Sequence, residues 1–308
     1  MSDNVKENFQ IISDSSCDLP PELTAEKNIK VVPFYVSFDD EHYEKEIEEI
    51  EIRDFYQKMV DNPKVFPKTS MPSVQDYIDV FEPCAKTGQA VVCICISTKF
   101  SGSYQSAMTA KEMVLEDYPQ TRIEVIDATV NTVLQGLYVL EAVNLRDNGM
   151  TLDAAVARLE EIKSTGRIFF TVGDMEYLKH GGRIGKVAGI AGSVLGIRPV
   201  IVLKEGEIFP AGIGRSRKST VSKSIDLLLN YLKEAGGGFE RFRLTIGYGY
   251  DYEEAVAIRE QTLQILREKG YEIDEIPLFQ IGATISVHTG PYALGFAIIE
   301  KGIQRGNI

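Results

Sequence analysis

The chain has 308 residues, of which 44% are hydrophobic and 25% are charged, and its formal net charge is -12. This length favours two domains, and the composition is that of a globular chain rather than a disordered one. The acidic balance is the opposite of what a protein that grips phosphate backbones needs, so we expect no nucleic-acid partner. No stretch is long and apolar enough to span a bilayer, and the first residues lack a signal-peptide pattern. We therefore expect a cytoplasmic protein with no stable membrane insertion.

The first half of the chain alternates short apolar runs with stretches of helical period. The runs read FQIISD, VVPFYVSF, AVVCICIS and IEVID, and the last two each lead into a helix-like stretch. A repeated strand-then-helix order predicts βαβ units, with a mostly parallel sheet covered by helices on both faces. Such sheets bind their ligands at the carboxyl ends of the strands.

The pattern changes after a helix that we predict to end at Gly166. The later runs read RIFFTV, RPVIVLKEGEIFPAGI, RFRLTIGYGY, EIDEIPLFQI and ISVHTG, and the Glu-Gly turn in the second predicts an antiparallel hairpin. We therefore predict an α/β protein of two domains. Residues 1–166 form an N-terminal α/β domain with a mostly parallel sheet, and residues 167–308 a C-terminal α+β domain with an antiparallel or mixed sheet. ISVHTG is expected to be a strand that carries His288 into a Gly-Pro turn.

The cysteines and histidines do not indicate a metal site. The four cysteines form no CxxC pair, and Cys93 and Cys95 lie in an apolar run, so we expect buried thiols in a reducing compartment. His42 and His180 lie in polar contexts unrelated to that of His288. We expect no bound metal.

Charge is distributed unevenly along the chain. Residues 39–54 are strongly acidic, and we expect them to form a solvated face. Residues 177–204 and 208–225 carry basic side chains and no acidic one. On so acidic a chain, this clustering favours a docking surface for an anionic partner.

Two polar stretches are only partly explained by helix capping. In SDSSCDLP, five serine and aspartate side chains crowd the end of the first predicted strand, and capping of a helix that begins near Pro20 would account for one or two of them. In TSMPS, Ser73 followed by Asp76 predicts a capping box. Thr69 and Ser70 lie upstream of that cap and remain unexplained.

Three further features could carry a ligand or a reaction. ISTKFSGSYQSA leads from a buried strand into a helix, which suits an anion but also an ordinary turn. The glycine-rich stretch 177–197 has neither a P-loop nor a dinucleotide fingerprint, so close packing of small residues explains it. His288 at a strand end is a structural residue in most proteins; a Ser–His hydrolase is conceivable, although GxSxG is absent.

Seven stretches occur in an order and spacing that resemble the DegV family of bacterial fatty-acid-binding proteins. They read SDSSCDL, TSMPS, STKFSGSYQSA, YLKHGGRIG, LGIRPVIVLKEGEI, GRSRKS and HTGPYALG, and they extend over nearly the whole chain. The resemblance implies two domains with a long-chain fatty acid in an apolar tunnel between them. It also implies that the protein has no catalysis and no cofactor of its own, and presents the carboxylate to a separate ATP-using fatty acid kinase of the DAK type, for phospholipid synthesis.

The resemblance also implies roles for individual residues. Thr69, Ser101 and His288 match the positions that hydrogen-bond the fatty-acid carboxylate. The basic positions near the kinase-facing rim are matched by Arg183, Arg215 and Arg217.

The chain departs from the usual family pattern at Met71, Phe100 and Tyr292, where glutamine, leucine and glycine are common. We expect these bulky side chains to alter the shape of the head-group site or the fit to the kinase. Two other functions remain open. The protein could be an acyl hydrolase or transferase that uses Ser101 with His288 as its base, or a regulatory protein that binds lipid only to control docking.

Overall fold

The computed structural model describes residues 9–191 and 197–303. The strands of the first half are β1 Gln10–Asp14, β2 Ile29–Val32, β3 Tyr35–Ser37, β4 Glu44–Lys45, β5 Lys68–Ser70, β6 Val91–Cys95 and β7 Ile123–Asp127. Its helices are α1 Pro21–Glu26, α2 Ile52–Asp61, α3 Val74–Lys86, α4 Ser103–Asp117, α5 Thr132–Asp147 and α6 Leu152–Ile162.

The second half begins with a strand at the predicted boundary. Its strands are β8 Arg167–Thr171, β9 Arg198–Lys204, β10 Glu207–Gly214, β11 Phe242–Tyr248, β12 Leu278–Gln280 and β13 Leu294–Glu300. Its helices are α7 Glu176–His180, α8 Ala188–Ala191, α9 Arg217–Ala235, α10 Tyr252–Glu268 and α11 Ala283–Thr289. In the described ranges, no helix combines the length and the apolar character needed to cross a membrane.

The first sheet is parallel throughout, in the order β2-β1-β6-β7. Successive residues of its central strands point to opposite faces: Cys93 and Cys95 pack with α3 and α4, whereas Val92 and Ile94 face the core that contains α5. Burial on both faces explains why these strands read as continuous apolar runs. The predicted βαβ arrangement is confirmed.

The second sheet is mixed and has six strands in the order β10-β9-β8-β13-β11-β12, in which only β11 and β12 pair in parallel. The predicted hairpin is the antiparallel pair β9 and β10. Glu205 and Gly206 connect them, and both have positive φ, of 53° and 81°. A two-residue turn of this kind matches the twist of the strands it joins.

A third, small antiparallel sheet in the order β4-β3-β5 was not predicted. The run VVPFYVSF divides at Pro33, so that β2 joins the parallel sheet and β3 the small one. A proline supplies no N–H to a ladder, which suits a point where the chain leaves one sheet for another.

One hydrophobic core extends across the two large sheets. It contains Ile94 of the parallel sheet, Leu134 and Leu137 of α5, and Ala297 of the mixed sheet. The division into domains 1–166 and 167–308 stays a prediction, and residues 1–8 and 304–308 lie outside the described residues.

The sequence interpretation was wrong for ISVHTG, which is helical. It forms most of α11, whose residues 283–287 are buried and which ends where Gly290 adopts a φ of 75°. The β-branched Ile285 and Val287 favour a strand locally. Tertiary contacts described below supply acceptors for the first N–H groups of the helix, and these override that preference.

The capping interpretation of SDSSCDLP was also wrong. The helix α1 has Pro20 at its N-cap, with no side-chain cap, and the serines and aspartates at 13–18 are all buried. In contrast, the capping box of α3 is confirmed: the Asp76 N–H donates to Ser73 Oγ at 3.2 Å, and the Ser73 N–H donates to Asp76 Oδ2 at 2.7 Å. All four cysteines are buried free thiols, as predicted. Of the glycine-rich stretch, residues 192–196 lie outside the described residues.

Candidate ligand-binding site

A cavity of about 320 Å³ lies between elements of the two large sheets. Ile96 and Val133 reach it from the first half, and Ile168, Leu203 and Ile208 from the second. These side chains cannot hydrogen-bond, so the cavity favours an apolar ligand or an apolar part of one.

Thr69, Ser101 and His288 all line this cavity. Thr69 lies on β5, Ser101 in the turn before α4, and His288 on α11. Thr69 Oγ1 is 3.4 Å from His288 Nε2. Ser101 Oγ accepts the Ser103 N–H at 3.2 Å, which leaves the Ser101 hydroxyl hydrogen available to a ligand. The structure thus brings together three side chains that lie far apart in the sequence.

The environment of His288 indicates which ring nitrogen carries the proton. Burial, and to a lesser degree the positive charge of Arg183, lowers the pKa of His288 from 6.5 to about 4, so the ring is neutral at pH 7. Nδ1 is buried without a hydrogen-bond partner. Gly181 packs so closely against it that an added Cβ would overlap Nδ1 and lie 3.0 Å from Cε1. The proton therefore belongs on Nε2, on the side of Thr69 and the cavity.

The arginines predicted for the rim occupy different surroundings. Arg183 lines the cavity, and its guanidinium donates to the Phe100 carbonyl at 3.2 Å and the Gly181 carbonyl at 2.8 Å. Arg217 lines a neighbouring groove, where it forms a two-pronged ion pair with Glu254. Arg215 is exposed on the surface. Of the three, Arg183 is the one that reaches the main cavity.

The three residues that depart from the family pattern lie in two different places. Met71 and Phe100 line the main cavity, and Met71 Sδ lies where a Cβ on Gly102 would meet it at 2.8 Å. Tyr292 is exposed and lines the neighbouring groove, where its carbonyl accepts a hydrogen bond from Arg217. Only the first two are therefore placed to shape a head group in the cavity.

The geometry lacks two parts of a hydrolytic triad. Among the described residues, no hydrogen bond joins Ser101 to His288, because His288 Nε2 faces Thr69 instead. Within the ranges that the structure describes, no carboxylate hydrogen-bonds to His288 Nδ1. In the part of the chain that the structure describes, no three His, Cys, Asp or Glu side chains group as a metal ion would need.

A family model described as "Uncharacterised protein, DegV family" matches residues 8–301. The chain belongs to the DegV family. The resemblance predicted from the seven stretches is confirmed, and so is an α/β fold with one parallel and one mixed sheet.

Several relatives of this DegV chain have been described. A stearic-acid-binding protein from Eubacterium ventriosum, known from its crystal structure, has a sequence 43% identical to this one. The two structures match with a TM-score of 0.91 over 96% of this chain and 99% of that one. A fatty-acid-binding DegV family protein from Thermus thermophilus is 31% identical, with a TM-score of 0.84 over 95% and 99%. A DegV domain-containing protein from Clostridium acetobutylicum is 31% identical over 94% of this chain and 96% of its own. The first two of these relatives are thus described as fatty-acid-binding proteins.

Behind the cavity wall, the DegV chain has a buried polar centre around Asp14. Its carboxylate accepts hydrogen bonds from Ser16 Oγ at 2.6 Å, Gln135 Nε2 at 2.8 Å and Ser103 Oγ at 2.7 Å. The Tyr77 hydroxyl lies 2.6 Å from the same Ser103 oxygen; because Ser103 gives its hydrogen to Asp14, we infer that Tyr77 is the donor. Burial raises the pKa of Asp14 above its usual value, and the hydrogen bonds from Ser16, Gln135 and Ser103 offset only part of that rise. The centre fixes the start of α4 beside Ser101.

A second buried acidic group contradicts the sequence interpretation. Residues 39–54 were expected to be solvated, yet Glu46 within them is 4% exposed and lies near the buried Asp18. Both reach the cavity wall through threonines: Thr132 donates to Asp18 at 2.6 Å and Thr284 to Glu46 at 2.7 Å. The sequence contains no signal for Glu46, because it is one of many glutamates in its segment.

Proposed function

We propose that this protein binds a long-chain fatty acid in the cavity between its two sheets and presents the carboxylate to a separate ATP-dependent fatty acid kinase of the DAK type. The observation that carries the proposal is the distribution of apolar and polar residues in the cavity. Most of its wall is apolar, and hydroxyl and imidazole donors lie in one region. Fatty-acid binding by relatives up to 43% identical supports it.

The affinity comes mainly from the acyl chain. Burying a methylene group contributes about 0.8 kcal/mol, so a chain of about fourteen methylenes offers on the order of 10 kcal/mol before the costs of association. A hydrogen bond to a charged group contributes roughly 1.5–3 kcal/mol. The polar residues therefore decide which end of the ligand is presented more than how tightly it binds.

Thr69, Ser101 and His288 are the proposed carboxylate-binding residues. A carboxylate accepts hydrogen bonds and donates none, and this region offers two hydroxyl groups and an imidazole N–H. Arg183 adds a positive charge next to His288. A bound carboxylate would in turn favour the protonated imidazole and raise the pKa of His288.

Kinase docking rests on the family resemblance and on position. Arg183 is exposed beside the cavity, and we propose that it contacts the kinase or the phosphate being transferred. Arg215 is proposed as a peripheral contact because it is exposed. Arg217 is paired with Glu254, so its proposed docking role would require exchange of that ion pair for one with the kinase. Nothing in the contacts of Ser101 and His288 favours the hydrolase.

The test of lipid binding is mass spectrometry of the organic extract of the purified, denatured protein. We expect one or more long-chain fatty acids in near-stoichiometric amount. The absence of any fatty acid, even after incubation with a range of chain lengths, would contradict the proposal.

The test of presentation compares His288→Ala with Ile285→Ala, a matched control one turn earlier on α11 that also lines the cavity. With the host's kinase and ATP, acyl phosphate is trapped as the hydroxamate. We expect His288→Ala to lower acyl-phosphate formation about tenfold and affinity about threefold or less, and Ile285→Ala to lower affinity about tenfold through lost burial. Binding without acyl phosphate in the wild type would instead favour the regulatory lipid-binding function.

A further inference from the structure

Two buried carboxyl groups, those of Asp18 and Glu46, meet at the start of α11. Gly282, the N-cap residue of this helix, lies against both: an added Cβ there would be 2.5 Å from Asp18 Oδ1 and 2.5 Å from Glu46 Oε1. The two acids belong to the first half of the chain, and α11 belongs to the second. The contact of Asp18 and Glu46 with Gly282 therefore joins the two halves of the chain at the helix that carries His288.

Glu46 is surrounded by donors. Thr284 donates its N–H to Oε1 at 3.0 Å and its hydroxyl to Oε2 at 2.7 Å, and Ser15 Oγ lies 2.5 Å from Oε2. Because Ser15 Oγ already accepts the Phe34 N–H, its own hydrogen must point to Glu46. Both oxygens are thus occupied as acceptors, as an ionised carboxylate requires.

Asp18 has the opposite surroundings. Its Oδ2 accepts the Thr132 hydroxyl at 2.6 Å, while Oδ1 is buried without a hydrogen-bond partner. Burial and the neighbouring charge of Glu46 raise the pKa of Asp18 well above its usual value, against a smaller lowering by the Thr132 hydroxyl and the nearby Gly282 N–H. Burial raises the pKa of Glu46 as well, but its donors lower it. Two like charges this close cannot both be buried at low cost, so we place the proton of the pair on Asp18, which has fewer donors.

The position of α11 depends on this contact. The helix has seven residues, too few to be stable without tertiary contacts, and Gly282 offers no side chain to cap it. Glu46 takes over the role of a capping residue from elsewhere in the chain. Thr284 and His288 are four residues apart and thus share one face of the helix, which is the face on the cavity. Whatever fixes Thr284 therefore fixes His288.

We propose that Glu46 is a positioning residue for head-group recognition: as a carboxylate it caps α11 and holds His288 Nε2 toward Thr69, while Asp18 carries the proton that keeps the pair at one negative charge. This inference rests on the proposed fatty-acid function and names a determinant of its specificity for the acid. Glu46 does not line the cavity itself and acts through Thr284, which does.

The test measures affinity for palmitic acid and for hexadecanol, which share a chain and differ in the head group. Glu46→Gln puts an amide N–H₂ among donors, so we expect the preference for the acid to fall about tenfold, with hexadecanol affinity changed by about threefold or less. Glu141→Gln is the matched control. Glu141 is also buried and accepts hydrogen bonds from Arg243 and the Gly302 N–H, remote from α11, and the variant keeps the wild-type preference.

Two further measurements separate positioning from a general loss of stability. In protein labelled with ¹⁵N-histidine, we expect the His288 signals of the wild type to report a neutral ring protonated at Nε2, and those of Glu46→Gln to report mixed tautomers. Asp18→Asn keeps a neutral donor where we place a neutral acid, so it lowers the preference less than Glu46→Gln does.

The outcomes are distinguishable. A wild type without preference for the acid overturns the proposed head-group function itself. A wild type that prefers the acid, with Glu46→Gln equal to it in preference and in the His288 signals, overturns only the positioning role. If Glu46→Gln does not fold, Ser15→Ala removes one donor to Glu46 and is expected to lower the preference about threefold; an unchanged preference in that variant overturns the inference.

Discussion

His288 contributes a neutral hydrogen-bond donor to the candidate site, and Arg183 contributes the positive charge. It is neutral at pH 7 because burial and Arg183 both disfavour the imidazolium. We infer that its proton is on Nε2, because among the described residues a proton on the buried Nδ1 would find no acceptor, whereas Nε2 faces Thr69 Oγ1. A neutral N–H donor beside a fixed guanidinium can receive a carboxylate without first giving up a proton. The residue is thus suited to recognise the ionised form of an acid.

This charge state predicts how stability depends on pH. The pKa of His288 is about 4 in the folded protein and near 6.5 in the unfolded chain, so between these values the unfolded state binds more protons. The free energy of unfolding therefore falls as the pH falls through this window. Between pH 7 and pH 5 we expect the wild type to lose about 2 kcal/mol more than His288→Gln, measured by denaturant unfolding.

The control for that comparison is His180→Gln, because His180 is exposed and stacks on Phe66. Other titrating groups are common to all three proteins and cancel in the difference. If the wild type and His288→Gln lose the same free energy on acidification, His288 is not held neutral, and its ring is not confined to the form protonated only at Nε2.

At the scale of elements, α7 and α11 approach each other closely at the site. Gly181 follows α7 and packs on the His288 ring of α11. We expect Gly181→Ala to force the two helices apart, to lower the free energy of unfolding by about 1–3 kcal/mol, and to weaken fatty-acid binding about tenfold. Denaturant unfolding and a binding titration measure the two effects.

Gly189→Ala is the matched control for that substitution. Gly189 lies in the short helix α8 and its φ is not positive, so alanine adopts its backbone freely; among the described residues, no atom lies within 4 Å of an added Cβ. Its replacement is expected to leave binding unchanged and stability unchanged or slightly raised. If the two substitutions had equal effects on binding and stability, the close approach of α7 to His288 would not be important for either.

Local patterns made some elements predictable. The capping box at Ser73 and the hairpin turn at Glu205–Gly206 both depend on residues within a few positions, and both are confirmed. The helix α11 was not predictable in this way. Glu46, which accepts the hydrogen bond from the Thr284 N–H at the start of the helix, lies 238 positions away from Thr284 in the sequence. The small sheet has strands of two or three residues, which are too short to produce a period.

The candidate site likewise has parts that the local sequence indicates and parts that depend on tertiary contacts. Thr69 and Ser101 could be noted as unexplained hydroxyls, but their meeting with His288 followed from the family resemblance and not from spacing. The Asp18–Glu46 pair was missed because burial of one glutamate among many depends on the three-dimensional packing of the small sheet against α11. No sequence period reports such a contact.

At the scale of the whole molecule, the shared core couples the two halves. Helix α5 lies in one cluster with strands of both large sheets, and Leu134 within it is fully buried. A cavity whose wall comes from both sheets exists only when both are folded. We infer that the protein unfolds as one cooperative unit, although its sheets are separate.

This coupling predicts the effect of Leu134→Ala on hydrogen exchange. Removing the buried side chain should cost about 3 kcal/mol, which corresponds to roughly a hundredfold loss of protection. If the halves unfold together, the slowest amides of β6 and of β11 lose that factor equally, as amide exchange followed by NMR or mass spectrometry can measure. Met113→Ala, at a side chain that is 49% exposed on α4, should change neither strand. A loss confined to β6 would show that residues 1–166 unfold independently of the rest, and that the cavity can open at the boundary between the two predicted domains.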